Sequence, residues 1–222
     1  MRREDSSSAN GFDRITFIYD AMAQVLSFNR INKSQLAFLS QLSTQSTCLI
    51  LGGGTGYFLQ KLLEQNKTIQ ITYVDASAKM IAAAKKRITK TLPNELHRVH
   101  FICKDVAAVA FDIYDVIVCN YFLDVFDDAY VNRLLEQFKK HLNAERLLYI
   151  TDFTISAAKG LMQWSTKAGL KMLYRFFKWT TALPANQLPN IETIVLQHNF
   201  VLLQSETFFK GVLKCSLYKH VG

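Results

Sequence analysis

The sequence predicts an α/β fold: a largely parallel β-sheet with helices on both faces. Two observations carry this. Short apolar runs alternate with stretches of helical periodicity from residue 47 to residue 151, and the first run ends in Leu51-Gly-Gly-Gly-Thr-Gly56. Five- or six-residue apolar runs that stop in glycine read as strands buried on both sides, which a sheet covered by helices provides.

Residues 1–11 are polar and predict a flexible N-terminus. Residues 12–28 read as a helix, because Phe12, Ile15, Tyr19, Met22 and Leu26 recur at three- and four-residue steps. A second short helix is expected over 32–42. The period then changes. Residues 47–51 form the first strand, 58–65 a helix and 69–74 the second strand. Residues 77–89 form an alanine- and lysine-rich helix that Pro93 closes. Strands follow at 99–103 and 115–119, a helix at 129–142 and a fifth strand at 146–151. A long aromatic-rich helix, 159–181, precedes a short one at 191–198. The runs 200–208 and 212–218 are separated by Lys210-Gly211, too little chain for a crossover helix, so they predict an antiparallel hairpin.

A chain of 222 residues, 50% apolar and 20% charged, suits one globular domain and excludes a largely disordered one. It has no apolar run of membrane-spanning length, and MRREDSSSANG offers no apolar stretch to a signal peptidase, which predicts a cytoplasmic protein. Cys48, Cys103, Cys119 and Cys215 lie in apolar segments at wide spacings. They predict buried free thiols and no metal site. The net charge of +8 is scattered over most of the chain, so solvated helix faces are expected rather than a nucleic-acid stripe.

The glycine loop carries the chemistry. Glycines at 52, 54 and 56 let the backbone turn tightly and let a ligand approach the amides. Tyr57-Phe58 follows where a triphosphate loop needs Lys-Ser or Lys-Thr, which excludes nucleoside triphosphates. The dinucleotide spacing fails at Tyr57; the spacing that fits is G-x-G-x-G. Asp75, nineteen residues after Gly56, closes the second strand, where a carboxylate can accept from both ribose hydroxyls or cap the next helix. After the third strand, Asp105 can meet an adenine amino group and the Val106 amide a ring nitrogen.

These residues carry a resemblance. From Phe12 to Lys219 the chain resembles class I S-adenosylmethionine-dependent methyltransferases, and is most similar to the ubiquinone/menaquinone biosynthesis C-methyltransferases. The shared pieces are Tyr19-Asp20, Leu26-Ser27-Phe28, Gly53-Gly54-Thr55-Gly56, Asp75-x-Ser77-x-x-Met80, Asp105, Asp115-x-Ile117 and Phe209-x-Gly211-Val212. The resemblance implies S-adenosyl-L-methionine as cofactor, held by Tyr19, Gly52, Gly53, Gly54, Thr55, Gly56, Asp75, Ala76, Met80, Asp105, Val106 and Asn120. The expected fold is a Rossmann-like seven-stranded sheet of order 3-2-1-4-5-7-6 with strand 7 antiparallel. Residues 12–222 form one domain, with 12–45 as capping helices and 153–190 as a helical lid over the acceptor. Two positions depart from the family. Ile50 replaces the Asp usual two residues before the first motif glycine, and Leu123-Asp124-Val125 replaces an Arg-Asn pair of the quinone enzymes.

The implied reaction is methyl transfer to a small aromatic or isoprenoid acceptor. Tyr121 is expected beside the methyl group, and Asp124 is the first candidate for a base, with Asp152 next. Lys167, Lys171, Arg175 and Lys178 share one face of the late helix, and Trp164, Tyr174 and Trp179 are expected to line an apolar pocket. That basic face is either solvated or rests on an anionic membrane surface. Methylation of RNA or protein, and cofactor binding without catalysis, are the competing readings. The first is weakened because Asn120-Tyr121 lacks the Asn-Pro-Pro-Tyr of base and glutamine methylation sites.

Overall fold

The computed structural model describes residues 28–154, 189–208, 211 and 213–221. The N-terminus expected to be flexible, the helix expected over 12–28 with Tyr19 (save Phe28), the helix expected over 159–181 and most of the lid expected over 153–190 lie outside the described residues. Seven strands are described: β1 (Thr47–Leu51), β2 (Gln70–Asp75), β3 (Val99–Cys103), β4 (Tyr114–Asn120), β5 (Leu142–Phe153), β6 (Phe200–Phe208) and β7 (Leu213–His220). Their order is β3-β2-β1-β4-β5-β7-β6. All neighbours from β3 to β5 are parallel, and β7 is antiparallel to both β5 and β6. This is the predicted Rossmann-like sheet. Gly211, at φ 83°, makes the tight reversal into β7 and donates its N–H to Phe208 O at 3.1 Å.

Helices α1 (Phe28–Ser34), α2 (Tyr57–Gln65), α3 (Ala78–Thr91), α4 (Asp128–His141) and α5 (Ile191–Gln197) connect or flank the strands. Strand residues alternate between two cores. Cys48 and Ile50 face α2 and α3, where Phe58, Leu59, Leu62, Ile81, Ala84 and Ile88 are buried. Leu49 and Leu51 face α4 and α5, where Val131, Leu135, Phe138, Ile194 and Val195 are buried. Each such side chain contributes roughly 1.5–3 kcal/mol on burial.

Three expectations need correction. The helix predicted over 32–42 is split into α1 and a 3-10 turn, Leu39–Leu42. Ser34 is the reason: its hydroxyl bonds back to Ile31 O at 2.8 Å, which loosens the helix end. The Tyr149 hydroxyl then takes over, donating to Gln35 O at 2.8 Å and accepting from Phe38 N at 3.2 Å. β5 begins at Leu142 rather than 146, with a register shift against β4 between Tyr114 and Val116. Cys103 is exposed because it ends the edge strand β3, whereas Cys48, Cys119 and Cys215 are buried thiols as expected.

At the N-terminal edge of the sheet, Asp115 ties β1 to β4. Its Oδ2 accepts from Ser46 N at 2.8 Å and Thr47 N at 3.1 Å, and its Oδ1 pairs with Arg146 at 3.1 Å. This edge lies opposite the glycine loop. Asp115→Ala strands two amide donors and should lower stability by about 2 kcal/mol, a Tm loss of roughly 4–8 °C. Thermal unfolding followed by circular dichroism measures the loss, and binding at the far edge should be unchanged.

Candidate functional site

The carboxyl ends of β1, β2, β3 and β4 bring Gly52–Gly56, Asp75, Asp105 and Asn120 to one edge of the sheet. The loop after β1 is held from below by β2. Gly52 N donates to Val74 O at 2.9 Å, Gly54 N to Asp75 Oδ2 at 3.0 Å, and the Tyr73 hydroxyl to Gly54 O at 2.9 Å. From α3, Arg87 Nε donates to Thr55 O at 2.9 Å. Arg87 was not predicted; its helical neighbours on the sequence gave no sign that it reaches back 32 residues.

The glycines are not equivalent. A Cβ on Gly52 would stand 2.5 Å from Phe122 Cδ2, one on Gly53 would enter the Tyr73 ring, and one on Gly56 would meet Ala84 at 2.9 Å. Those three serve packing within the protein. Gly54, at φ 63°, meets nothing within 4 Å and fronts open space. The expectation that all these glycines admit a ligand therefore narrows to Gly54 and its neighbours' backbone.

Asp75 is half-buried and both its oxygens are engaged, Oδ2 with Gly54 N and Oδ1 with Ser77 N at 2.8 Å. Ser77, not Asp75, caps α3, by accepting from Met80 N at 3.4 Å. Each carboxylate oxygen keeps a second lone pair, so Asp75 can still accept from a ligand hydroxyl. Ala76 and Met80 are exposed beside it. Asp105 accepts from Ala107 N at 2.8 Å and leads into a 3-10 turn in which Val106 is buried. Asn120 is buried at the end of β4, and neither atom of its amide finds a partner among the described residues. A buried amide left unpaired costs roughly 1–3 kcal/mol, so a polar ligand group is its natural complement.

A row of aromatics runs from the glycine loop towards Asp105. Phe122 packs under Gly52 and meets Phe126 edge-on at 5.2 Å, and Phe126 stacks on Tyr130 at 4.5 Å. Burial, then the negative charge of Asp105, raises the Tyr130 hydroxyl above its ordinary pKa. The four-residue spacing 122-126-130 was the available signal.

Tyr121 and Asp124 follow the end of β4. Tyr121 has φ 54°, donates its N–H to Thr151 O at 2.6 Å and packs against Phe153 at 5.2 Å. Its hydroxyl shares a 2.6 Å hydrogen bond with Ser34 of α1. Burial raises its pKa well above the ordinary phenol range, so it stays protonated and cannot serve as a base. Asp124 and Asp152 are buried side by side at the ends of β4 and β5. Desolvation pushes Asp124 up to about 7. Desolvation and then the neighbouring Asp124 push Asp152 well above the carboxylate range, which the Leu123 and Phe122 amides offset only in part.

The sheet order agrees with comparisons to known proteins. A methyltransferase domain family model matches residues 49–145. A malonyl-[acyl-carrier protein] O-methyltransferase of Bacillus cytotoxicus is 33% identical over 149 residues, 64% of this chain and 48% of its own length. One of Priestia megaterium is 32% identical over 142 residues, 63% of this chain and 47% of its own. The chain thus spans about half the length of the curated relatives it matches. These relatives bear a different activity from the quinone C-methyltransferases that the sequence most resembled.

Among solved structures, the mitomycin 7-O-methyltransferase MmcR has a TM-score of 0.68 at 17% identity, over 98% of this chain and 59% of that one. The N-methyltransferase NodS of Bradyrhizobium japonicum has 0.58 at 16% identity, over 87% of this chain and 98% of that one. Such identities speak to fold alone, and the fold is shared. Residues 49–145 are thus similar to a methyltransferase domain, on a fold that these structures share.

Proposed function

We propose that this protein transfers the methyl group of S-adenosylmethionine to an oxygen atom of a small acceptor. The observation that carries the reading is the unpaired, buried Asn120 amide at the same sheet edge as the open face of Gly54. S-adenosylmethionine supplies an electrophilic methyl group when bound. Asp75 would accept from the ribose hydroxyls, Asp105 and the Val106 amide would meet the adenine, and Asn120 with the Gly52–Gly56 backbone would hold the methionine end. Ala76 and Met80 would flank the nucleoside, and Tyr19 would close the site from outside the described residues. Ile50, where relatives of this type carry Asp, is buried in the core and offers no charge. The Tyr73 hydroxyl and Asp75 hold the loop in its place.

Capping of this edge by residues 12–45 is supported by the Ser34–Tyr121 hydrogen bond, which draws α1 against the end of β4. On the acceptor side, the Asp124–Asp152 pair favours a hydroxyl on an aromatic or isoprenoid compound. A hydroxyl must lose a proton as the new bond forms, and a carboxyl group near neutrality is suited to take it. The relatives act on malonyl-[acyl-carrier protein], which supports a second reading, a short acyl carboxylate; such an acceptor is already ionised and needs no base.

Labelled methyl transfer from S-adenosylmethionine into a cell extract, fractionated into small molecules, lipid, RNA and protein, tests the proposal. Label confined to RNA, or to protein residues themselves, would overturn it. A hydroxyl acceptor should show activity that falls as the pH drops through about 7, where Asp124 gains a proton, whereas an acyl carboxylate should show no such limb.

Asp75→Ala should weaken S-adenosylhomocysteine binding at least tenfold in calorimetry, since hydrogen bonds to a charged acceptor contribute about 1.5–3 kcal/mol, and Gly54→Ala should weaken it too, because its Cβ would project into the open space assigned to the ligand. Gly54→Ala should cost only about 1–2 kcal/mol of stability, from its left-handed backbone. The acid pair also sets a stability profile. Both carboxyls are raised in the folded state, so the stability they contribute is fully present below about pH 4, the unfolded carboxyl value, and is lost as pH rises through about 7. Asp152→Asn should flatten that decline in denaturant titrations.

A further inference from the structure

The loop after β1 spends nearly all of its amides within the protein. Gly52 N and Gly53 N donate to Val74 O at 2.9 and 3.4 Å, Gly54 N to Asp75 Oδ2 at 3.0 Å, and Gly56 N to Gly53 O at 3.4 Å. Among the amides of Gly52–Gly56, only that of Thr55 is without a partner among the described residues. Thr55 is exposed, and Gly54 beside it fronts open space. Gly56, which leads into α2, brings no capping side chain to that helix.

The direction of the Thr55 N–H is set by the two peptide planes that flank the residue. A trans peptide puts its N–H and its carbonyl on opposite sides. The Tyr73 hydroxyl holds the Gly54 carbonyl at 2.9 Å, which turns the Thr55 N–H away from β2. Arg87 holds the next plane, its Nε donating to the Thr55 carbonyl at 2.9 Å. The guanidinium is fixed in turn: Nη1 donates to Gln60 Oε1 at 3.3 Å, and the group lies 6.0 Å from the centre of the Tyr57 ring. It therefore stands beside the first turn of α2, where the helix dipole favours negative charge and disfavours a cation. For the stability of α2 alone an acid would serve better. An anionic group on the loop turns the same cation into a favourable neighbour, and the free Thr55 N–H offers that group a donor.

We propose that Arg87 is a positioning residue for the carboxylate end of the ligand: by fixing the Thr55 peptide, it aims the Thr55 N–H at that carboxylate. The inference rests on the reading that S-adenosylmethionine binds at this edge with its methionine end on the glycine loop. It adds to that reading a residue from the middle of α3, which no strand-end position marks. Arg87 reaches the loop and not the reacting atoms, so its effect belongs to one end of the ligand. The adenosine end, assigned to Asp75 and Asp105, is held from β2 and β3 and does not depend on it.

Calorimetry on the full chain with two ligands is the test. S-adenosylhomocysteine carries the carboxylate, and 5′-methylthioadenosine lacks the whole amino-acid end. Arg87→Ala should weaken binding of the first at least about fivefold, the scale of one lost hydrogen bond, and leave binding of the second unchanged. Arg87→Lys, which keeps the charge and one donor, should recover part of the loss. Should Arg87→Ala fail to fold by circular dichroism, Arg87→Gln takes its place, with the same selective loss expected. A folded variant that loses affinity for both ligands equally, or for neither, would overturn the proposal and leave Arg87 as a staple between α2 and α3. Wild-type protein that binds neither ligand would overturn the cofactor reading, and this inference with it.

Discussion

The candidate site depends on how β2 grips the loop that leaves β1. Gly54 is held on both sides of its peptide unit, by the Asp75 carboxylate at its N–H and the Tyr73 hydroxyl at its carbonyl. These two contacts come from residues two apart on one strand, so a single register between β1 and β2 positions both. Arg87 adds a third hold from α3. With the loop pinned by protein groups, its remaining backbone is pre-organised for a ligand, and little ordering entropy is left to lose on binding. Ile50 fills the core beneath the loop, and the loop's side-chain polar contacts come from Tyr73 and Asp75 of β2 and Arg87 of α3.

The ends of β4 and β5 follow a different logic. Two carboxyl groups are buried together where water cannot solvate their charges, an arrangement that favours proton retention and costs stability as the pH rises. Structural cores avoid such pairs, and functional sites retain them. Tyr121 beside them is in a left-handed conformation uncommon for a tyrosine, and is fixed there by Thr151, Phe153 and Ser34. Strain and desolvation thus gather at the ends of β4 and β5, while the glycine-loop edge is built from satisfied hydrogen bonds, with the Asn120 amide left without a partner among the described residues. The family model matches residues 49–145, the stretch that contains the glycine loop, Tyr121 and Asp124 but not Asp152.

Much of the architecture was legible in the chain. The change from helical to strand period at residue 47, the glycine loop and the short link at Lys210-Gly211 specify the sheet and its antiparallel final strand, because burial period and turn length are local properties. Gly54, Asp75, Asp105 and Asn120, singled out from their positions in the sequence, do stand at the carboxyl ends of β1 to β4. The tertiary structure alone decided the rest. That Gly52, Gly53 and Gly56 face Phe122, Tyr73 and Ala84 rather than a ligand depends on distant strands and helices closing on the loop. The backbone groups freed after Ser34 are satisfied by Tyr149, more than a hundred residues away, and the exposure of Cys103 depends on β3 being an edge. The pairing of Asp124 with Asp152, and of Lys214 with Glu192 instead of Asp152, likewise arises only when β5, β7 and α5 pack together. Sequence spacing reports which residues share a face of one element; which charges meet across elements is set by packing, and no local period encodes it.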